Sequence, residues 1–126
     1  MTILEGRVHW AYNYELENKK KWVKYISGLF SFVSPLHQHT GYAVLTDRIL
    51  YVCGDKNVTI ELQSIEEVYL GFDEIFPASS AKNFGLFWQP LRIRFGGNQV
   101  IYAVMDYNGI NSSNQLWFDS LKSMLD

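Results

Sequence analysis

Residues 41–52 read GYAVLTDRILYV, two short runs of apolar and aromatic residues on either side of a Thr-Asp-Arg corner. Branched and aromatic side chains suit the pleated surface of a strand, and Thr and Asp side chains bond nearby backbone groups in tight turns. The stretch therefore predicts a β-hairpin with strands over 41–46 and 48–53. A turn over the Gly-Asp-Lys-Asn sequence of residues 54–57 follows it.

Strand signals recur at short intervals on both sides of this hairpin. Alternating patterns predict strands over 7–14, 58–62 and 66–70, and residues 100–104 continue the sheet. Two apolar runs, 84–89 and 91–95, flank Pro90, where we expect a turn, a bulge or an edge position. The spacers within 41–70 are too short for crossover helices, which favours about seven antiparallel strands in a partly open barrel or sandwich.

Two segments show helical spacing instead. Apolar residues from Trp22 to Val33 predict a helix near 18–33. A second helix is predicted over 113–125, where Ser112 and Gln115 have the spacing of a capping box and Trp117 and Leu121 lie on the apolar side. Because a small barrel leaves one end open, we expect this last helix to close it, with Trp117 as the largest wedge.

Composition narrows the class of protein. The 126 residues, 48% of them hydrophobic and 16% aromatic, are sufficient for one mainly β domain spanning 1–126. A net charge of −2 argues against nucleic acid as a partner, since such binding needs a basic face. Cys53 is the single cysteine, so neither an internal disulfide nor a multi-cysteine metal site can form. The first residues do not form a signal peptide and no apolar run is long enough to span a bilayer, so we expect a cytoplasmic location.

The pattern Gly-x-x-x-Leu-Thr-Asp-Arg, an apolar strand and then Ser-Ile-x-x-Val resembles the pleckstrin-homology superfold in its GRAM-like and bacterial forms. The matching residues are Gly41, Leu45, Thr46, Asp47, Arg48, Ile49, Ser64, Ile65 and Val68, and Trp117 and Leu121 resemble the helix that plugs such barrels. The likeness covers roughly residues 40–125. It implies a non-enzymatic binding module and gives these residues structural roles.

Candidate binding residues fall in two basic groups. Lys19, Lys20, Lys21 and Lys24 accompany an aromatic stripe, a combination that could lie on an anionic membrane surface. The alternative is a helix that packs on its own domain with a solvated basic end. Arg92 and Arg94 share one strand face and could bind phosphate, although a solvated outer face is the commoner arrangement.

Signals for metal or catalytic chemistry are weak. His37 and His39 give at most two ligands, whereas zinc sites usually have three or four, so we expect neither a metal nor a cofactor. Cys53 is expected in the core, and Glu66, Glu67, Asp73 and Glu74 form an acidic patch that could serve as acid and base or guard an exposed strand. No nucleophile elbow, P-loop or zinc-protease motif is present.

These observations favour a binding module that contacts a protein partner or a second copy of itself. Its contact surface would be an exposed strand edge or an aromatic surface around Trp10, Phe84, Phe87 and Trp88. A peripheral module on an anionic membrane is the alternative, and a small-ligand carrier or enzyme using the barrel mouth is the third hypothesis.

Overall fold

The computed structural model describes residues 2–17, 39–73, 89–108 and 112–125. The strands are β1 (Thr2–Tyr12), β2 (His39–Thr46), β3 (Ile49–Gly54), β4 (Val58–Glu61), β5 (Ile65–Leu70), β6 (Leu91–Phe95) and β7 (Gln99–Met105). The helices are the short α1 (Asn13–Glu17) and α2 (Asn114–Leu125), and a 3₁₀ turn covers Leu62–Ser64. The helix predicted near 18–33 and all of the predicted apolar run 84–89 except Gln89 lie outside these residues.

The strands within the described ranges form one antiparallel sheet in the order β4-β3-β2-β1-β7-β6-β5. The two edge strands, β4 and β5, are consecutive in the chain and are joined by the 3₁₀ turn. The sheet therefore curls into a half-barrel that is not closed by hydrogen bonds between its edges. The prediction of a mainly β, partly open, seven-strand barrel is confirmed.

The hairpin of β2 and β3 forms where the sequence predicts it, with Leu45 opposite Leu50. Gly41 lies opposite Gly54 at the other end of the pair. A Cβ atom on Gly41 would collide with the carbonyl oxygen of Cys53, and one on Gly54 would collide with that of Thr40. The two strands approach this closely only because both positions are glycine.

Alternate side chains of the strands point into the half-barrel and fill it. The largest fully buried side chains are Trp10, Trp117, Tyr102, Leu45, Leu50, Ile60, Leu91, Ile93 and Ile101. All of these except Tyr102 belong to one continuous cluster. Tyr102 packs with Ala11 and Val104 in a smaller cluster on the other face of β1 and β7. Both faces of this central strand pair are therefore buried.

Helix α2 seals the inner cluster. Trp117 and Leu121 are 1% and 0% exposed, and Phe118 and Leu125 pack against the same core from the helix. Burial of an indole removes on the order of 200 Å² from water, which is a large contribution for one residue. The expectation that this helix closes the half-barrel is confirmed.

Asn114, at the start of α2, fastens the helix to the sheet. It is 1% exposed. Its Oδ1 accepts the Met105 N–H at 2.7 Å, and its Nδ2 donates to the carbonyl oxygens of Ala103 and Gln89, at 3.0 and 2.7 Å. One buried amide therefore satisfies three backbone groups around the end of β7.

Two local predictions are wrong. The first strand runs from Thr2 to Tyr12 and not over 7–14, because the Tyr12 N–H bonds to the side chain of Glu15 at 2.8 Å and the chain turns into α1. The capping box does not form either: the Asn114 N–H donates to Ser112 Oγ at 3.2 Å, whereas Gln115 Nε2 donates forward to Asp119 Oδ1 at 3.0 Å.

Replacement of Trp117 by Ala is expected to lower the free energy of unfolding by about 3–5 kcal/mol, because it leaves a large void in the core. Urea denaturation measures the change. Leu116, the preceding residue, is 54% exposed, so Leu116→Ala is the matched control and should change stability little. Equal losses for the two variants would contradict the sealing role of Trp117.

Replacement of Asn114 by Ala should cost about 2–4 kcal/mol, since it leaves buried backbone donors and acceptors without partners. Asn114→Asp keeps the acceptor for Met105 but removes the donor to Ala103 and Gln89, so it separates the two halves of the interaction. A thermal melt of Asn114→Ala that matches the wild type would show that the amide does not fasten the helix.

Candidate functional site

A polar groove crosses the outer face of β5, β6 and β7. The register places Tyr69 opposite Arg92, and Arg92 opposite Tyr102. Two residues along each strand, on the same face, Glu67 lies opposite Arg94, which lies opposite Val100. Leu91, Ile93 and Phe95 alternate with the two arginines and point into the core. The groove has a volume of about 530 Å³ and is lined by Asn13, Glu67, Asp73, Arg92, Arg94, Val100 and Tyr102.

Arg92 is the centre of a hydrogen-bonded network in this groove. Its Nη1 lies 2.9 Å from Asp73 Oδ2 and its Nη2 lies 2.8 Å from Glu67 Oε1. Its guanidinium group lies over the ring of Tyr69, 4.5 Å from the centroid. The Tyr102 hydroxyl donates to the same Asp73 oxygen at 2.6 Å. The network connects three strands to the segment after β5.

The network fixes the charge states of its members. Partial burial disfavours the charged guanidinium, but the hydrogen bonds to Asp73 and Glu67 outweigh this effect and raise the pKa of Arg92. Burial, together with the hydrogen bond to the Asp73 carboxylate, raises the pKa of the Tyr102 hydroxyl well above its usual range. Arg92 is thus a cation neutralised by two carboxylates, and Tyr102 is a neutral donor.

Arg94 differs from Arg92 in its surroundings. It lies on the same outer face, as the alternation of β6 indicates, but it is exposed. It has no ion pair with any residue in the described ranges. The two arginines therefore lie side by side, yet an arriving anion would compete with Glu67 and Asp73 for Arg92 and not for Arg94.

The Thr-Asp-Arg corner is held together by its own threonine. Thr46 Oγ1 accepts the backbone N–H groups of Arg48 and Ile49, both at 3.1 Å. Asp47 and Arg48 are exposed at the tip. They line a depression of about 450 Å³ with Ile49, Glu61, Leu62 and Gln63. The geometry at Thr46 is that of a side chain organising a tight turn.

The second part of the sequence pattern also lies at a turn. Ser64 Oγ donates to the Glu61 carbonyl oxygen at 2.7 Å, and the Ser64 carbonyl oxygen accepts the Gly96 N–H at 3.1 Å. Val68 is buried and Ile65 is half-buried on β5. Ser64 thus secures the 3₁₀ turn that carries the chain from one edge strand to the other.

His39, one of the two histidines considered for a metal, is enclosed by carboxylates. Its Nδ1 lies 2.8 Å from Asp55 Oδ2 and its Nε2 lies 2.8 Å from Glu15 Oε2. Both ring nitrogens are therefore occupied, and His37 is outside the described residues. In the part of the chain that the structure describes, no group of three His, Cys, Asp or Glu residues is arranged to hold a metal ion.

The predicted positions of Cys53 and Trp10 are wrong, and several other predicted surface residues lie outside the described ranges. Cys53 is half-buried on the outer face of β3, opposite Tyr42, and does not belong to the core. Trp10 is fully buried, so it cannot belong to an exposed aromatic surface. The remaining residues of that surface and of the basic cluster lie outside the described residues: Phe84, Phe87, Trp88, Lys19, Lys20, Lys21 and Lys24. The acidic patch is described only at Glu66, Glu67 and Asp73.

Helices in the described ranges are all too short or too polar to cross a membrane.

Comparison with known proteins gives a structural likeness only. The chain matches no family model and no curated protein. It is similar to the crystal structure of the C-terminal domain of an unknown protein from Leishmania infantum, with a TM-score of 0.57 and 11% sequence identity. The match covers 99% of this chain and 84% of that one. At this identity the likeness shows the fold alone.

The network around Arg92 gives a stability prediction. Tyr102→Phe removes the hydroxyl that bonds to Asp73 and should cost about 1–2 kcal/mol, because the bond is charge-assisted and the side chain is buried. Tyr51→Phe, on the half-buried outer face of β3, is the control and should leave the urea midpoint unchanged. A Tyr102→Phe protein as stable as wild type would show that the hydrogen bond to Asp73 contributes nothing to stability.

Proposed function

We propose that this chain is a non-enzymatic binding module of the pleckstrin-homology-like type, which contacts a protein partner through the edge strand β5. A second copy of the chain is the simplest such partner. The observation that carries the proposal is that β5 pairs with β6 on one side and with no other described strand on the other side.

An edge strand offers a row of backbone donors and acceptors to another extended chain. In β5 these groups run along six residues, Ile65–Leu70, whereas the opposite edge strand β4 has only four. Helix α2 packs against β5, and its buried residues belong to the inner core. The helix thus supports β5 from inside the half-barrel, which favours a rigid edge.

The side chains of β5 set the chemistry of the contact. Tyr69 is 40% exposed, and Arg92 lies over its ring, so an aromatic surface is presented in a fixed orientation. Glu66 and Glu67 are exposed on the same strand. Charged residues on an edge discourage indiscriminate pairing. The feature of this edge that a second β5 can match is the oriented aromatic ring, because Tyr69 of each copy can pack against the other copy.

The packing of the half-barrel favours an outer binding surface over an internal one. Trp10 and Trp117 fill the interior together with aliphatic side chains from every strand. The groove on the outer face contains a neutralised Arg92 and a Tyr102 whose pKa is raised, and neither is activated as a nucleophile or a base.

The order of elements supports the superfold assignment within this proposal. Four strands form one meander, β5, β6 and β7 form a second, and the helix follows the last strand. This order, with a tryptophan of the final helix in the core, is what the likeness in the hairpin and in the Trp-x-x-x-Leu pattern implies. The structural neighbour from Leishmania infantum has the matching overall shape, and its description gives no activity.

Light scattering across protein concentration tests the proposal. We expect the mean mass to rise towards that of a dimer as the concentration increases, and Tyr69→Ser to shift that rise to higher concentration. Tyr42→Ser is the matched control, because Tyr42 is 41% exposed but lies on β2, which has a partner strand on each side. A constant monomer mass to millimolar concentration, or equal effects of the two variants, would contradict self-association through β5.

A further inference from the structure

A polar clamp made of Glu15, His39 and Asp55 lies at the end of the half-barrel where β1 ends and β2 begins. His39 is the first residue of β2, Glu15 belongs to α1, and Asp55 lies in the turn between β3 and β4. Both oxygens of Glu15 lie 2.8–2.9 Å from His39 Nε2, and Asp55 Oδ2 lies 2.8 Å from His39 Nδ1. The imidazole side chain is 13% exposed and that of Glu15 is 20% exposed, whereas that of Asp55 is 48% exposed. The clamp is therefore shielded from water on the Glu15 side and open to it at Asp55.

The backbone holds each carboxylate in place. The Tyr12 N–H donates to Glu15 Oε1 at 2.8 Å, and the Thr40 N–H donates to Asp55 Oδ1 at 2.9 Å. The ring of Trp10 lies beside the imidazole, with 4.5 Å between centroids. The two carboxylates are therefore positioned independently of the ring that they contact.

This arrangement requires a particular protonation state. A neutral imidazole carries one N–H and can donate to one carboxylate only, which would leave a nitrogen lone pair facing the oxygen of the other. With both carboxyl groups ionised, both contacts can be hydrogen bonds only when His39 is an imidazolium. We propose that His39 is a proton-dependent fastener: its imidazolium ties α1 and the β3–β4 turn to β2, and loss of the ring proton releases one carboxylate.

The neighbouring groups leave histidine as the variable charge. Glu15 faces the ring from α1 and Asp55 from the β3–β4 turn. Around them, Tyr12 of β1 stacks on Tyr14 and lies beneath the ammonium group of Lys56, 4.9 Å from the ring centroid. The hydrogen bond from His39 lowers the pKa of Asp55, whereas burial raises the pKa of Tyr12. Histidine is the side chain that ordinarily changes charge between pH 5 and 8.

The direction of the pH dependence follows. Because the pKa of Asp55 is depressed on folding, its contribution to stability is lost only when the pH falls through that lowered value. The contribution of the imidazolium is lost when the ring gives up its proton, because one of the two carboxylates then faces a nitrogen without a hydrogen. The clamp is therefore complete while both ring nitrogens are protonated.

The clamp joins two points of the chain that are far apart in sequence. Glu15 and His39 are 24 positions apart, and residues 18–38 lie between them. The charge on His39 thus controls how firmly α1 is fixed to the start of β2. This device is independent of the contact proposed for β5.

Urea unfolding of the wild type and of His39→Gln at pH 5.5 and 8.5 tests whether the stabilisation by His39 depends on its ring proton. At pH 5.5 the variant should have an unfolding equilibrium constant about tenfold larger than that of the wild type, as for the loss of one charge-assisted hydrogen bond. At pH 8.5 the ratio should fall below about threefold. Because the two proteins share all their other titratable groups, the effects of those groups cancel in the ratio of the two unfolding constants. A ratio that does not change with pH would overturn the proposal.

The same measurement on two aspartate variants compares a residue of the clamp with a control residue outside it. Asp55→Asn removes a charge from the clamp and should reduce the stability at pH 5.5 more than at pH 8.5. Asp47→Asn removes a charge from the exposed corner between β2 and β3 and should leave the unfolding constant unchanged at both values. Equal effects of the two substitutions would contradict a specific role for Asp55.

Nitrogen NMR of the wild-type histidine rings keeps the proposal testable if a variant does not fold. At pH 5.5 both ring nitrogens of His39 should be protonated, and at pH 8.5 only one. The amide signals of Tyr12 and Thr40 should shift with the same midpoint, since these amides are bonded to the two carboxylates. A single protonated nitrogen at pH 5.5, or an imidazolium that persists at pH 8.5, would refute proton-dependent release.

Discussion

The packing of Trp117 into the curled sheet is the interaction on which the rest of the molecule depends. The sheet has two edges that do not pair with each other in the described structure, so backbone hydrogen bonds alone leave one side of the inner face open. Helix α2 closes that side with an indole that is 1% exposed, and Asn114 fixes where the helix starts. Hydrophobic burial therefore completes a barrel that hydrogen bonds leave open.

The same incomplete barrel leaves the edge strand β5 on which the proposed contact rests. A fully hydrogen-bonded barrel has no edge to offer, whereas this half-barrel keeps β5 paired on one side only among the described strands. Because α2 packs on the inner face of β5, the strand is supported although its free edge pairs with no other described strand. The polar network of Arg92, Glu67 and Asp73 stiffens the outer face of the same strand. Contacts on both faces therefore hold the edge strand in place.

Local sequence patterns predicted the parts of the fold that depend on neighbouring residues. The alternation around the corner at Thr46 located both strands of the hairpin within two residues, and the spacing of Trp117 and Leu121 identified the buried side of α2. Each of these features depends on periodicity or on turn chemistry, which a short window of sequence contains. The curling of the sheet into a partly open barrel was predicted from the number of strands and the short connections between them.

Contacts between residues far apart in the chain could not be predicted in the same way. Asp73 receives hydrogen bonds from Arg92 and Tyr102, at separations of 19 and 29 positions, and no local pattern indicates which acid would meet which donor. His39 was considered as a metal ligand because a second histidine is nearby in sequence. Its true neighbours, Glu15 and Asp55, are brought to it by the register of β1, β2 and β3. A pair of glycines at Gly41 and Gly54 was the one available signal that these strands approach closely there.

Native-state hydrogen exchange tests most directly whether α2 is an integral part of the core. If the helix seals the half-barrel, the amides of Trp117 and Leu121 can exchange only when the whole domain unfolds. Their opening free energies should then equal those of buried sheet amides such as Leu45 and Ile101, and should fall in parallel with added denaturant. Exchange of the helix amides at clearly lower free energy, while the sheet stays protected, would show that α2 detaches from an intact barrel and would contradict this account.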